Sequence, residues 1–289
     1  MNVLLVGHGY WGKKLAATLL KFKGVKLFVY DKIENKVSLD EFLSTIPDFS
    51  HVFIATPEET HYELAIFFLL LNKNVFVEKP LCLERSQAEK LVEIAIKNKV
   101  NLFVDYIFLY DSFAKKIKEI IGSNLLGKIK EIKISRSSSF VNKPNLLVTD
   151  DLMIHDLYLL KYFFASKITN FSFVPLKSLD REELNLNLFL DNKLKIKVSY
   201  TWKNPKTFRQ MSFVGEKKSL FWSKDEETEK ISLVSQRKKE EIMVKNNVSP
   251  LFSSIDDFFH QNSQANQRYN DYIQDTETLS LVRAGFYEN

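Results

Sequence analysis

Only one cysteine, Cys82, occurs in the 289 residues. An intramolecular disulfide and a thiolate metal cage are therefore excluded, which fits a reducing compartment, and Cys82 reads as a small buried apolar residue. Long apolar runs are missing too. The longest, Leu64 to Leu71, has eight residues, far short of the ~20 that span a bilayer. The N-terminus enters an apolar strand at once, without the basic segment, apolar region and cleavage site of a secretory leader. The five histidines, His8, His51, His61, His155 and His260, are scattered, so no metal site is expected. There is no G-x-S-x-G elbow, no P-loop lysine, no internal repeat and no long low-complexity tract. Charge of one sign is also scarce: 41 basic against 36 acidic residues leave +5, interspersed along the chain. That balance argues for solvated faces over a nucleic-acid groove and favours an anionic small molecule, while the single cysteine fits a reducing cytoplasm.

Glycine is sparse, yet three of the eight glycines fall within six residues, in Val3 to Gly12, VLLVGHGYWG. An apolar strand, a tight turn at Gly7, Gly9 and Gly12, and a helix over Trp11 to Phe22 make a dinucleotide-binding pattern. The unpaired N–H groups at such a helix start favour a diphosphate. Gly7 permits the turn, Gly9 leaves room for the pyrophosphate, and Gly12 lets the helix sit close. A second strand, Lys26 to Tyr30, ends in Asp31, which lies 19 positions beyond Gly12, the spacing at which a carboxylate meets the adenosine ribose. Asp31 points to NAD, because it repels a 2′-phosphate; Lys32 beside it leaves NADP open.

Strands at His51 to Ala55, Asn74 to Val77 and Asn101 to Asp105 alternate with helices at Thr60 to Leu71, Ser86 to Asn98 and Asp111 to Ile121. Two helix starts read as capping boxes, Thr60 with Glu63 and Ser86 with Glu89. Helix-linked strands imply a parallel, doubly wound α/β sheet with ligands beyond the strands' carboxyl ends, at Gly7, Asp31, Thr56, Glu78 and Tyr106. After the turn cluster at Gly122 the pattern changes. A helix over Asp151 to Ala165 is followed by successive strands from Thr169 to Trp222, where Leu194, Ile196, Val198, Tyr200 and Trp202 share one face. This predicts a mainly antiparallel sheet covered on one side. Residues 224–245 read as its exposed end, and two helical patterns, Ile255 to Phe259 and Thr276 to Phe286, flank a polar linker at Gln261 to Asn270. The expected domains are 1–122, dinucleotide-binding, and 123–289, an α+β domain, to which the family resemblance described below assigns substrate binding and oligomerisation.

Three stretches carry candidate chemistry. In Val77-Glu78-Lys79-Pro80 the lysine follows a strand at the ligand edge, where its cation favours alkoxide character; a surface lysine paired with Glu78 is the plainer alternative. Asp151 and His155 are four apart on one helix face, suited to a carboxylate-supported imidazole that accepts an alcohol proton. The alternative makes Asp151 or Asp150 an N-cap and His155 a packed residue. Thr56, Pro57 and His61 occupy a loop expected beside the nicotinamide, with His61 reading better as a neighbour of the helix cap than as a base.

Together GHGYWG, ATPEETHYELA, VFVEKPL, VDYIFLY, DLMIHD and SYTWKNPKTFRQMSFVG resemble, in order and spacing, the Gfo/Idh/MocA oxidoreductases. The resemblance implies a Rossmann domain, a C-terminal α/β domain whose open sheet often mediates dimer or tetramer contacts, and NAD(P)-dependent chemistry on a sugar, cyclic polyol or related compound. It makes Lys79 the E-K-P lysine and Asp151 and His155 the D-x-x-x-H pair, with His155 as proton donor or acceptor. The expected cofactor set is Gly7, Gly9, Tyr10, Trp11, Gly12, Asp31, Thr56, Pro57, His61, Glu78 and Lys79. The GYWG turn and the run from Trp202 to Arg209 look most like members associated with nucleotide-sugar and surface-polysaccharide biosynthesis, with Lys206 and Arg209 as candidate binders of an anionic substrate. Asp150, Tyr158 and Leu109 depart from the family pattern, at positions that bear on the substrate pocket. The expectation is a dehydrogenase or reductase, homodimeric or homotetrameric. Its rivals are a non-catalytic cofactor-binding regulator and a reductase of an unrelated carbonyl or imine.

Overall fold

The structure, a computed structural model, describes residues 1–138, 147–174, 181–236, 238–245, 248–260 and 265–288, with side chains from 268 onward in the last segment. The chain divides into two compact units, Met1–Tyr110 with Val248–Ser280, and Asp111–Asn247 with Leu281–Asn289.

The first unit alternates strands and helices: β1 (Asn2–Val6), α1 (Tyr10–Leu19), β2 (Lys26–Tyr30), α2 (Lys32–Asn35), α3 (Leu39–Thr45), β3 (His51–Ile54), α4 (His61–Leu70), β4 (Asn74–Val77), α5 (Arg85–Asn98) and β5 (Leu102–Val104). All strand pairs are parallel, in the order β2-β1-β3-β4-β5. The winding reverses at β1 and β3, and the crevice beyond their carboxyl ends is where such sheets take ligands.

The later helices α8 (Pro250–His260) and the first part of α9 (Ala265–Glu288) also belong to this unit. Phe258 of α8 packs on Phe53, Phe76 and Phe103 at centroid separations of 5.3, 5.5 and 5.6 Å. All four rings are fully buried, and each contributes roughly 1.5–3 kcal/mol of apolar burial. A linear division at residue 122 separates α8 from the sheet it covers. Tyr269 and Tyr272 of α9 accept hydrogen bonds at 3.3 Å from the Leu102 and Val104 N–H groups of β5.

The second unit contains α6 (Ser112–Gly122), β6 (Ile129–Ser137), α7 (Val148–Phe164), β7 (Ile168–Phe173), β8 (Glu183–Leu190), β9 (Lys195–Thr201), β10 (Phe208–Gly215), β11 (Ser219–Lys224), β12 (Glu229–Val234) and β13 (Lys239–Ile242). Its sheet runs β13-β12-β11-β10-β6-β9-β8-β7. It is antiparallel except where β6 pairs with β9. Ile196, Val198, Tyr200 and Trp202 are buried on one face, as their alternation requires.

Two charge clusters are buried in this unit. The Arg136 Nε and Nη2 groups donate to Asp156 at 2.6–2.8 Å, and the Tyr200 hydroxyl donates to the same carboxylate at 3.0 Å. Arg209 Nη2 donates to Glu229 at 2.7 Å, and the guanidinium lies 3.8 Å over the Trp222 ring. Arg209 is 4% exposed, so its cation is held by the sheet's own residues rather than offered to an anionic substrate; Lys206 is exposed.

Several local expectations change. Thr60 makes no cap: its hydroxyl donates to Thr56 Oγ1 and Pro57 O. The α5 helix is capped two residues earlier than read, by Glu84 with Gln87 rather than Ser86 with Glu89. The helices α2 and α3 were not foreseen, and α7 begins at Val148, placing Asp151 inside its first turns. The linker expected over 261–270 is helical from Ala265; residues 261–264 lie outside the described residues. No helix among the described residues is long and apolar enough to cross a membrane.

Candidate active site

The glycine turn is dictated by close backbone contacts. Gly7 has φ +96°, and a Cβ there would stand 2.5 Å from Ala55 O. A Cβ on Gly12 would stand 2.1 Å from Gly7 O, so the helix approaches the turn more closely than any side chain allows. At Gly9, by contrast, an added Cβ meets nothing within 4 Å. That glycine is the N-cap of α1, with no side-chain cap and no acidic residue in the first turn. An open, uncapped helix start flanked by occluded glycines fits a dinucleotide's diphosphate. Tyr10 and Trp11 follow at once, 72% and 38% exposed, and Lys14 Nζ lies over both rings at 4.1 and 4.5 Å.

Asp31 ends β2. Its carboxylate accepts from His8 N at 2.8 Å and Ile33 N at 2.9 Å. The His8 N–H, opposed by burial and aided by the Ile33 and Glu34 N–H groups, holds the carboxyl below its ordinary pKa. The same side chain caps α2, a role absent from the sequence reading. Glu34 stands beside it, 2.9 Å from His8 Nδ1.

Across the crevice, Thr56 and Pro57 follow β3. His61 is 1% exposed, with Nδ1 at 2.7 Å from Pro80 O and Nε2 at 2.9 Å from Thr56 O. The ring ties the Thr56 loop to the turn after Lys79, so its two nitrogens face backbone rather than a cofactor. Burial lowers its pKa against the pull of those carbonyls.

Glu78 and Lys79 continue β4, Lys79 is half-buried, and the Lys79–Pro80 peptide is cis. The register pairs Val77 with Val104, so the next residues, Glu78 and Asp105, share one face of the sheet. Both are buried, at 7% and 2% exposure. Asp105 accepts from Ser254 Oγ at 2.6 Å, and Glu78 Oε1 has no hydrogen-bond partner among the described residues. Burial, then the charge of Asp105, raises the Glu78 pKa well above its ordinary value, while burial pushes Asp105 up to about 7. Sequence reasoning named Glu78 but missed Asp105. The signal was present, since both acids immediately follow adjacent strands.

Asp151 and His155 belong to the second unit, on α7, both half-buried. His155 Nδ1 lies 2.9 Å from the Tyr158 hydroxyl, a contact not foreseen from the sequence although the i, i+3 spacing allows it. Asp150 accepts from Leu147 N at 2.8 Å and from Arg283 at 2.7 Å, which accounts for an acid there: it caps α7 and binds α9. Leu109 is half-buried in the turn after β5.

Residues 1–106 match the Gfo/Idh/MocA model, an oxidoreductase family with an NAD-binding Rossmann fold. A myo-inositol 2-dehydrogenase of Thermotoga maritima is 28% identical over 127 residues, 42% of this chain and 38% of that protein. The chain spans less than half the length of the first curated relatives it matches: 42%, 26% and 31%. The structure of the UDP-N-acetylglucosamine 3-dehydrogenase GnnA from Acidithiobacillus ferrooxidans is similar over 100% of this chain and 99% of its own, with TM-score 0.80 and 18% identity. The 3-ketoreductase KijD10 from Actinomadura kijaniata, in complex with TDP-benzene and NADP, is similar over 99% and 97%, with TM-score 0.82 and 16% identity. At these identities the likeness shows a shared fold.

Proposed function

We propose, from the match of residues 1–106 to the Gfo/Idh/MocA model of NAD-binding oxidoreductases, that the chain transfers hydride between NAD(P) and a secondary alcohol or ketone of a sugar, cyclic polyol or nucleotide sugar. The observation that carries the reading is the open helix start at Gly9, on the same sheet edge as Lys79. Gly7, Gly9, Gly12 and the N–H groups of Tyr10 and Trp11 hold the diphosphate, Asp31 takes the ribose hydroxyls, and Thr56, Pro57 and Glu78 border the nicotinamide. When bound, the nicotinamide supplies the hydride acceptor or donor. Lys79 polarises the reacting oxygen. His155 accepts the hydroxyl proton at Nε2 in oxidation and returns it in reduction, with Asp151 supporting the imidazole.

Asp31 and Glu34 together place negative charge where NADP carries its 2′-phosphate, which favours NAD. The UDP-N-acetylglucosamine 3-dehydrogenase activity of GnnA and the TDP-benzene bound to the 3-ketoreductase KijD10 support that substrate class for this chain. Assembly as a homodimer or homotetramer through the solvent face of the second sheet, in the cytoplasm, belongs to the same reading.

The test is the reduced-nicotinamide absorbance band across a panel of sugars, inositols and nucleotide sugars. With a substrate found, Lys79→Ala and His155→Asn should each slow single-turnover hydride transfer by about 10²–10⁴-fold. Unaltered rates remove that residue from the mechanism.

A further inference from the structure

We propose that Tyr158 is the positioning residue for His155, its phenol oxygen holding Nδ1 so that Nε2 is offered to the substrate in either direction of reaction. The inference rests on the reading of His155 given above. The two residues lie three apart on α7, with Nδ1 and the hydroxyl 2.9 Å apart and the rings edge to face at 5.8 Å. Tyr158 is 3% exposed, so packing fixes its ring, while His155 is half-buried.

The chemistry of a phenol suits this place. It accepts from Nδ1–H both when Nε2 is the free base and when the ring has become imidazolium, and its own O–H can donate to Nδ1 in the neutral tautomer protonated at Nε2. The imidazole therefore changes state without turning. A carboxylate in the same position only accepts, and its charge would bias the ring toward imidazolium.

On α7, Asp156 is engaged by Arg136 of β6 and Tyr200 of β9, and Asp150 by Arg283 of α9. Asp151 lies one turn before His155, and Lys118 of α6 lies over Tyr162, one turn beyond Tyr158. Burial opposes the charge of Arg136, yet Asp156, Tyr200 and Tyr158 hold its pKa above the ordinary guanidinium value.

The decisive measurement needs neither substrate nor cofactor. The His155 imidazole is titrated by NMR in the full chain, its signal assigned by its loss in His155→Asn. Tyr158→Phe keeps the ring and its packing, and should lower the His155 midpoint by about 0.5–1 unit, because the imidazolium loses an acceptor. The same variant should redistribute the neutral tautomers read from the nitrogen shifts. Tyr158→Glu should raise the midpoint by about one unit or more; if that variant does not fold, Tyr158→Phe decides alone. An unchanged midpoint and tautomer ratio in Tyr158→Phe overturns the inference. Turnover separates it from the reading beneath: full activity in His155→Asn removes the role of His155 itself. Loss of activity there, with an unchanged pH profile and kcat in Tyr158→Phe, removes only Tyr158.

Discussion

The two units bury charge in opposite ways. In the second, each buried arginine has its acid: Arg136 with Asp156, Arg209 with Glu229. In the first, Glu78 and Asp105 are buried side by side at strand ends, and burial drives both toward the neutral form. Paired charges of the first kind hold a sheet and a helix in register. Two acids held toward their neutral forms beside Lys79 are perturbed groups of the kind that the proposed site would use to handle protons and polar ligands.

The comparison breaks most visibly if the paired cluster is opened. Asp156→Ala leaves the Arg136 guanidinium buried without its carboxylate and should cost about 3–5 kcal/mol in urea unfolding. Replacing both residues, by Arg136→Met with Asp156→Leu, should recover most of that loss. A double variant as unstable as the single one would mean that the pair does more than neutralise itself.

The acid pair should show itself through pH. Asp105 has a folded pKa of about 7 against an ordinary value of 3.8, so the folded state binds the extra proton between those values. Its contribution to stability is complete below about pH 4 and is lost as pH rises through about 7, at a slope of about 1.4 kcal/mol per pH unit. His51, lowered to about 4 by burial, and His61 act in the opposite sense over part of the window. The readout is therefore the difference between wild type and Asp105→Asn, whose stability should fall less steeply with pH. Equal slopes would place the carboxyl outside the titration.

Smaller effects sharpen the contrast. His61→Ala strips the ring from Pro80 O and Thr56 O and should cost about 1–3 kcal/mol in urea midpoint analysis. Lys197→Ala removes an ion pair with Glu131 whose lysine is 55% exposed, and the shift should stay within about 0.5 kcal/mol. A larger loss there would blur the distinction between buried and surface pairs.

What was legible in the sequence was local. The glycine turn, Asp31 and the strand ends at Thr56 and Glu78 are set by residues a few positions apart, and the parallel sheet follows from their alternation with helices. What was hidden depends on partners far along the chain. Nothing near Phe258 says that it covers Phe53 and Phe76, two hundred residues earlier by rough count. Arg209 reads as an anion binder until Glu229 and Trp222 are brought around it. Thr60 carries a capping signature, but its hydroxyl bonds back to Thr56 and Pro57, a local competitor that the motif does not encode.

The phenol groups of Tyr269 and Tyr272 on β5 have a further consequence. A parallel sheet that ends in a bare strand can recruit another chain, because its outward amides await acceptors. Here a helix from the far end of the sequence supplies those acceptors through two oxygens, which stop lateral growth without adding a sixth strand. A chain truncated before α9 would carry an adhesive border and should self-associate while its glycine turn stays intact.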